Sequence, residues 1–338
     1  MPYGPWPVVV TLGDPGGIGP EVTLKALHEL GDAAPPLLVG SLDALRQHAT
    51  RLGYDPARFV ATTAPFGAQP GDVPVLDVTG GASFKVDWGR ATEEGGRVSM
   101  LAVEAATRLC LSGEANAMVT APISKEAIAL AGHDVPGHTE FIARLCGVEH
   151  PLMLLVADLP SGTSLRVGLV TVHVPLRRVA DLVTKDAIQA RLRTMEAALR
   201  QDFGIDRPKI AVLGLNPHAG DGGVLGDEEI ATIRPALELA RTAGINAHGP
   251  FPADGFFATD VAAFDGVMAM YHDQGLAPFK ALGFDRGVNV TCGLPIVRTS
   301  PDHGTAYGIA GQGRADAGSM IAACRLAFGI AQIRTEAP

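Results

Sequence analysis

Three short apolar runs in this chain each lead into a histidine, and that repetition limits the folds open to it. Val167–Val172 runs into His173, Ile210–Leu215 runs through Asn216-Pro217 into His218, and Gly266–Tyr271 runs into His272. Each run has the length and residue types of a buried strand, whereas a helix shows a longer segment with a 3.6-residue repeat. In open α/β sheets, ligands bind outside the carboxyl ends of the strands. Three histidines delivered to that edge are therefore candidates for one shared site.

The alternation of strand and helix runs through the rest of the chain. Pro7–Leu12 reads as a strand, followed by the glycine loop Gly13-Asp14-Pro15-Gly16-Gly17-Ile18-Gly19-Pro20 and a helix over Glu21–Leu30. Pro20 suits the first turn of that helix and Gly31 its end. Pro35–Gly40 and Val73–Val78 read as strands, with Ser41 capping a helix between them that runs to about Gly53. In Thr92–Leu111 the apolar positions fall on one helical face, and Asn116–Ile123 is a strand that delivers Lys125 to a helix start. Leu152–Ala157 and Leu165–Val172 flank the turn Ser161-Gly162-Thr163 and read as an antiparallel hairpin. Helices follow over Val183–Phe203 and Asp227–Ala243, an extended segment over Pro250–Asp254, strands over Gly287–Cys292 and Leu294–Thr299, and helices over Thr305–Ala310 and Ala317–Phe328. This is an α/β chain with mostly parallel, somewhat mixed sheets. Its 338 residues exceed one comfortable core, so two domains are expected.

Composition narrows the function. A net charge of −9 argues against a nucleic-acid surface, and an anionic substrate then needs local cationic groups to offset that field. No apolar stretch reaches membrane-spanning length and the start of the chain lacks a signal-peptide pattern, so a cytoplasmic protein without membrane contact is expected. The cysteines 110, 146, 292 and 324 form no CxxC pair and read as reduced core residues. The loop at 13–20 lacks both GxGxxG and a Walker lysine, so an anion cradle and a plain tight turn are equally open there.

Neutral imidazoles suit zinc, cobalt and other divalent ions, and a three-histidine set leaves coordination positions open for a substrate. Nothing like HExxH occurs, so the fold must assemble such a site. Lys280, Asn289 and Arg298 follow at nine-residue intervals. A lysine, an amide and an arginine suit a substrate that carries a carboxylate, hydroxyls and a phosphate. His138 and Thr139, at a loop-to-helix turn, fit either an anion contact or a plain cap with Thr139 at the N-cap.

Taken together, GDPGGIGPE, TAPISK, GHTEF, NPHAGDGG, PADGFF, AMYHDQGLAPFK, GVNVTCGLPIVRTSPDHGTA and GRADAGSM resemble the 4-hydroxythreonine-4-phosphate dehydrogenase family of pyridoxal 5′-phosphate biosynthesis. The resemblance spans essentially the whole chain. It implies a two-domain α/β/α fold similar to isocitrate and isopropylmalate dehydrogenases, which bind NAD or NADP without a GxGxxG turn. The expected division is a first domain of 1–135 plus 300–338 and a second of 136–299 carrying the metal histidines. It further implies a homodimer with its active site at the interface and one divalent metal per site (zinc, cobalt or magnesium) on His173, His218 and His272. His138, Thr139, Lys280, Asn289 and Arg298 are the implied contacts to a phosphorylated small-molecule substrate. The implied reaction oxidises 4-phosphooxy-L-threonine to 2-amino-3-oxo-4-phosphooxybutanoate, which decarboxylates to 3-amino-2-oxopropyl phosphate. Lys280 or Asp254 is the candidate to relay the hydroxyl proton. Related dehydrogenases of 4-phosphothreonate or 4-phosphoerythronate share the motifs, and a metal-dependent phosphate-ester lyase or hydrolase is a more distant reading of the same histidines.

Overall fold

A computed structural model of the chain describes residues 6–31, 36–63, 71–259, 261–283 and 286–336. Pro35, expected to open the second strand, and the first five residues lie outside the described residues. In chain order the elements are β1 (Trp6–Thr11), α1 (Gly19–Leu30), β2 (Leu37–Gly40), α2 (Leu42–Leu52), β3 (Phe59–Ala61), β4 (Val73–Asp77), α3 (Glu93–Leu111), β5 (Ala115–Thr120), α4 (Lys125–Leu130) and α5 (His138–Leu145). Then come β6 (Leu152–Asp158), β7 (Ser164–Leu169), α6 (Val179–Leu182), α7 (Lys185–Gln201), β8 (Ile210–Leu213), α8 (Arg234–Thr242), β9 (Ala247–Phe251) and α9 (Ala253–Thr259). β10 (Gly266–Ala269), α10 (His272–Gly283), β11 (Val288–Cys292), β12 (Val297–Pro301) and α11 (Gly318–Glu336) complete the chain.

The contacts divide the molecule into one unit of residues 1–149 with 294–335 and a second of 150–293 with the last three residues. Residues 136–149 and 294–299, expected in the second domain, therefore fall in the first. The reason is local. β12 pairs with β5 over Val297–Thr299, and Ile142 and Ala143 of α5 enter the same core as Val9, Val103 and Met118.

In the first unit the strand order is β3-β4-β2-β1-β5-β12, and every neighbouring pair is parallel. Parallel strands covered on both faces read as continuous apolar runs. In β1, Val8, Val9 and Val10 accordingly bury both faces. The glycine loop after β1 is a packing device. A Cβ on Gly13 would lie 2.3 Å from the Pro122 carbonyl oxygen, one on Gly17 2.9 Å from that of Thr305, and one on Gly19 2.4 Å from that of Leu12. The amides that an anion would need are engaged: Gly16 N–H donates to Asp14 Oδ1, Gly17 N–H to Asp14 O and Ile18 N–H to Thr305 O. Of the two readings open for this loop, the tight turn is the one observed.

Under that loop lies His48 of α2, fully buried, with Nε2 2.8 Å from the Pro15 carbonyl and its ring 4.3 Å from Trp88. Burial lowers its pKa to about 4, against the upward pull of Pro15 and Glu21 and with a further downward push from Arg51. The ring stays neutral in the fold, while the unfolded chain takes up its proton near pH 6.5. Stability is therefore expected to fall by roughly 3 kcal/mol as pH drops from about 6.5 to 4. Denaturant midpoints across that range should show this slope in the wild type and lose it in His48→Gln.

The second unit has the strand order β11-β6-β7-β10-β8-β9. The hairpin β6/β7 and the pair β11/β6 are antiparallel, and the remaining pairs are parallel. Its core joins Val167 and Leu169 of β7, Ala211 and Leu213 of β8, Val267 and Ala269 of β10 and Phe279 of α10. Two helices differ from expectation. Asp254, read in an extended segment, lies in the first turn of α9, and the predicted helix over 305–310 is a single 3-10 turn, Tyr307–Ile309. Among the described residues, no helix is long and apolar enough to cross a membrane.

Candidate functional site

Two of the three strand-end histidines come together. β7 ends at Leu169, but Val170 N–H and Thr171 N–H donate to the carbonyls of Ala269 and Met270 at 2.9 and 3.2 Å. The chain thus keeps to the side of β10 for two more residues and carries His173 toward His272, the first residue of α10. Their ring centroids are 5.6 Å apart at an interplanar angle of 43°. His272 Nδ1 lies 2.7 Å from Asp273 Oδ1. A carboxylate on one ring nitrogen leaves the other as the electron-pair donor, the usual dressing of a metal-binding imidazole.

His218 stands elsewhere, with Nδ1 3.9 Å from Asp254 Oδ2 and both side chains 68% exposed. Among the described residues, no three His, Cys, Asp or Glu side chains gather closely enough to hold an ion. The His173–His272 pair therefore fits two positions of a divalent site by donor chemistry and spacing, and within this chain His218 is not the third. The loop of His218 is unusual. Residues 218–222 all have positive φ, between 41° and 80°, three of them non-glycine. Left-handed backbone costs an L-residue roughly 1–2 kcal/mol, so the neighbours must impose it.

Glu229 does so. It is 1% exposed, and its Oε1 accepts the N–H groups of Leu215 and Asn216 at 2.7 and 2.8 Å while Oε2 accepts Asn216 Nδ2 at 2.9 Å. Burial pushes its pKa up, but the bonds from Asn216 and Leu215 outweigh this and hold it below the usual carboxylate range. From the other side, Gln274 accepts Met270 N–H at 2.7 Å and donates to Gly214 O at 2.6 Å, which ties the end of β10 to the end of β8. His218, Asp254, Tyr271 and Gln274 line one open cavity. Lys280 lies in the last turn of α10, eight residues or just over two helical turns beyond His272. Asn289 sits in β11, opposite Leu155 of β6, with its Oδ1 buried and unpaired.

The remaining predicted residues meet in the first unit. Arg298 of β12 is 3% exposed, and its Nε and Nη2 both donate to Thr120 Oγ1, at 3.1 and 2.7 Å. Burial lowers its pKa to about 10, against the pull of Glu140, so it remains charged at neutral pH. His138 opens α5 with its Nε2 buried and unpartnered. Burial, then the charge of Arg298, holds its pKa well below the usual range, so the ring is neutral. Gly137, not Thr139, is the N-cap, and no side chain caps the helix. A neutral imidazole and a buried guanidinium thus lie close to each other at the start of α5, with Glu140 of the same helical turn near the guanidinium.

This arrangement can be set beside known proteins. The family described as "Pyridoxal phosphate biosynthetic protein PdxA" matches residues 32–327. The chain belongs to the PdxA family. A relative from Prosthecochloris aestuarii, named 4-hydroxythreonine-4-phosphate dehydrogenase, is 48% identical over 329 residues, covering 95% of this chain and 96% of that one. The crystal structure of a Klebsiella pneumoniae protein of the same name superposes with a TM-score of 0.85 at 39% identity, covering 96% of this chain and 98% of that one. One from Burkholderia phymatum does so with a TM-score of 0.81 at 37% identity and the same coverage. The α/β architecture of this PdxA-family chain is thus the one its solved relatives share. Thr120, Glu229 and Gln274 were not singled out from sequence. Thr120 and Gln274 stand inside the motifs TAPISK and YHDQG, whereas Glu229 is an acid at a helix start thirteen residues after Asn216 with no local signal.

Proposed function

We propose that this chain is an NAD- or NADP-linked, metal-dependent 4-hydroxythreonine-4-phosphate dehydrogenase that oxidises 4-phosphooxy-L-threonine. What carries the reading is its near-full-length likeness to enzymes of that name, 48% identical in the Prosthecochloris relative. The buried guanidinium of Arg298 beside the neutral ring of His138 suits the phosphate of a phosphorylated amino acid. Oxidation removes a hydride from C3 and a proton from its hydroxyl, and the resulting β-keto acid then loses CO2 to give 3-amino-2-oxopropyl phosphate.

Each residue has a task in this reading. His138, Thr139, Lys280, Asn289 and Arg298 hold the substrate's charged and polar groups. His173 and His272, with His218, hold one divalent ion (zinc, cobalt or magnesium). When bound, that ion lowers the pKa of the substrate hydroxyl, and the nicotinamide is the hydride acceptor. Lys280 or Asp254 takes the hydroxyl proton, Asp254 having the solvent access to pass it on. The active form in this reading is a homodimer with its site at the interface. A second chain completing the ligand set would account for His218 facing Asp254 and not the His173–His272 pair.

The test is NAD(P)H formation from 4-phosphooxy-L-threonine, with and without a chelator, in wild type and His218→Ala. Expected are metal-dependent turnover and a variant slower by roughly a hundredfold or more. Its zinc affinity, read by titration calorimetry, should fall in parallel. Turnover of 4-phosphothreonate or 4-phosphoerythronate alone would move the enzyme to another substrate, and no NAD(P)H from any of them would sink the reading.

A further inference from the structure

Thr120 is the last residue of β5 and is fully buried. On the adjacent parallel strand β12, Arg298 is in register with Met118, so Thr120 stands two residues further along β5, on the face that Arg298 shares. Its single hydroxyl oxygen accepts from both Nε and Nη2 of Arg298. Two donors on one edge of a planar guanidinium, converging on one atom, fix both the plane and the direction of the group. The acceptor is also neutral. A carboxylate at this position would form a bidentate ion pair and spend the cation internally. A hydroxyl orients the cation and adds no charge of its own.

We propose that Thr120 is the positioning residue for Arg298, setting the plane and direction in which the guanidinium meets an anionic group of the substrate. This rests on the reading of Arg298 as a substrate contact. Thr120 itself touches no substrate in this proposal. It acts only through the arginine, and a hydroxyl, not volume, is what the position requires.

The experiment is steady-state kinetics with 4-phosphooxy-L-threonine on wild type, T120S, T120V, T120D, R298A and the double variant T120V/R298A, each checked for folding by thermal melt. T120V keeps the shape and loses the acceptor, so KM is expected to rise roughly tenfold or more with kcat changed far less. T120S should stay near wild type, and T120D should raise KM at least as much as T120V by neutralising the arginine. In the R298A background, adding T120V should change nothing further. Wild-type kinetics in T120V beside an impaired R298A would overturn the proposal, as would T120S failing like T120V or an undiminished T120V penalty without the arginine. Wild-type kinetics in R298A would remove the substrate role of the arginine, and the proposal with it. If T120V does not fold, T120A supplies the same comparison.

Discussion

Arg298→Ala is expected to be the most damaging single substitution for substrate binding, raising KM for a phosphorylated substrate by roughly two orders of magnitude or more. The size follows from burial. A guanidinium that is 3% exposed is weakly screened by water and salt, so its attraction for an anion is far larger than that of a surface arginine. Losing it also leaves Thr120 Oγ1 without either of its two donors. Arg298→Lys should recover only part of the loss. A lysine supplies the charge but not a rigid fork, and it cannot send two donors along one edge toward Thr120. Initial rates against substrate concentration decide it: an unchanged KM in the alanine variant would mean that the anion is held elsewhere.

Gly13→Ala is expected to cause the largest loss of stability. Its φ of 68° lies in the left-handed region, and an added Cβ would stand 2.3 Å from a backbone oxygen of Pro122. The dihedral alone costs roughly 1–2 kcal/mol, and the clash with a carbonyl that cannot rotate away adds about 1–3 kcal/mol. Asp14 N–H donates to the same oxygen at 2.9 Å, so relieving the clash breaks a bond that joins the loops after β1 and β5. Equilibrium denaturation should show a midpoint lowered by the equivalent of roughly 3 kcal/mol or more, or no folded protein at all. A midpoint within the error of wild type would mean that the loop adapts freely.

Much of this arrangement was legible in the sequence, for physical reasons that differ from place to place. β8 is an unbroken run of Ile, Ala, Val and Leu, and β1 is centred on three consecutive valines, a pattern that a doubly covered strand tolerates. Arg298 was visible because an arginine flanked by Val297 and Thr299 in a strand must be half-buried at least, and such a group requires an acceptor. The glycine loop was ambiguous because both a cradle and a tight turn need residues without a Cβ. Only the positions of Pro122, Thr305 and Leu12, far away in sequence or on the strand itself, decide between them. The domain edges were misplaced for a similar reason. Nothing in residues 136–149 says that Ile142 will reach the core built on β1 and α3. The left-handed turn at 218–222 has no local signature, and Glu229, which holds the chain just before it, sits at a helix start with no marker of its own.

The first unit is made of two stretches of chain separated by the whole of the second, residues 150–293. During synthesis, domains tend to fold as units from the N-terminal side. Here the leading five strands emerge early yet lack β12, which lies beyond residue 293. Until it arrives, β5 exposes an unpaired edge, the kind of edge that invites pairing with the wrong chain. The second unit carries all its strands within residues 150–293 and has no such wait. The piece that closes the edge is also the one that brings Arg298, so the nascent protein gains its buried guanidinium, and the partner of Thr120, in the same step that seals β5.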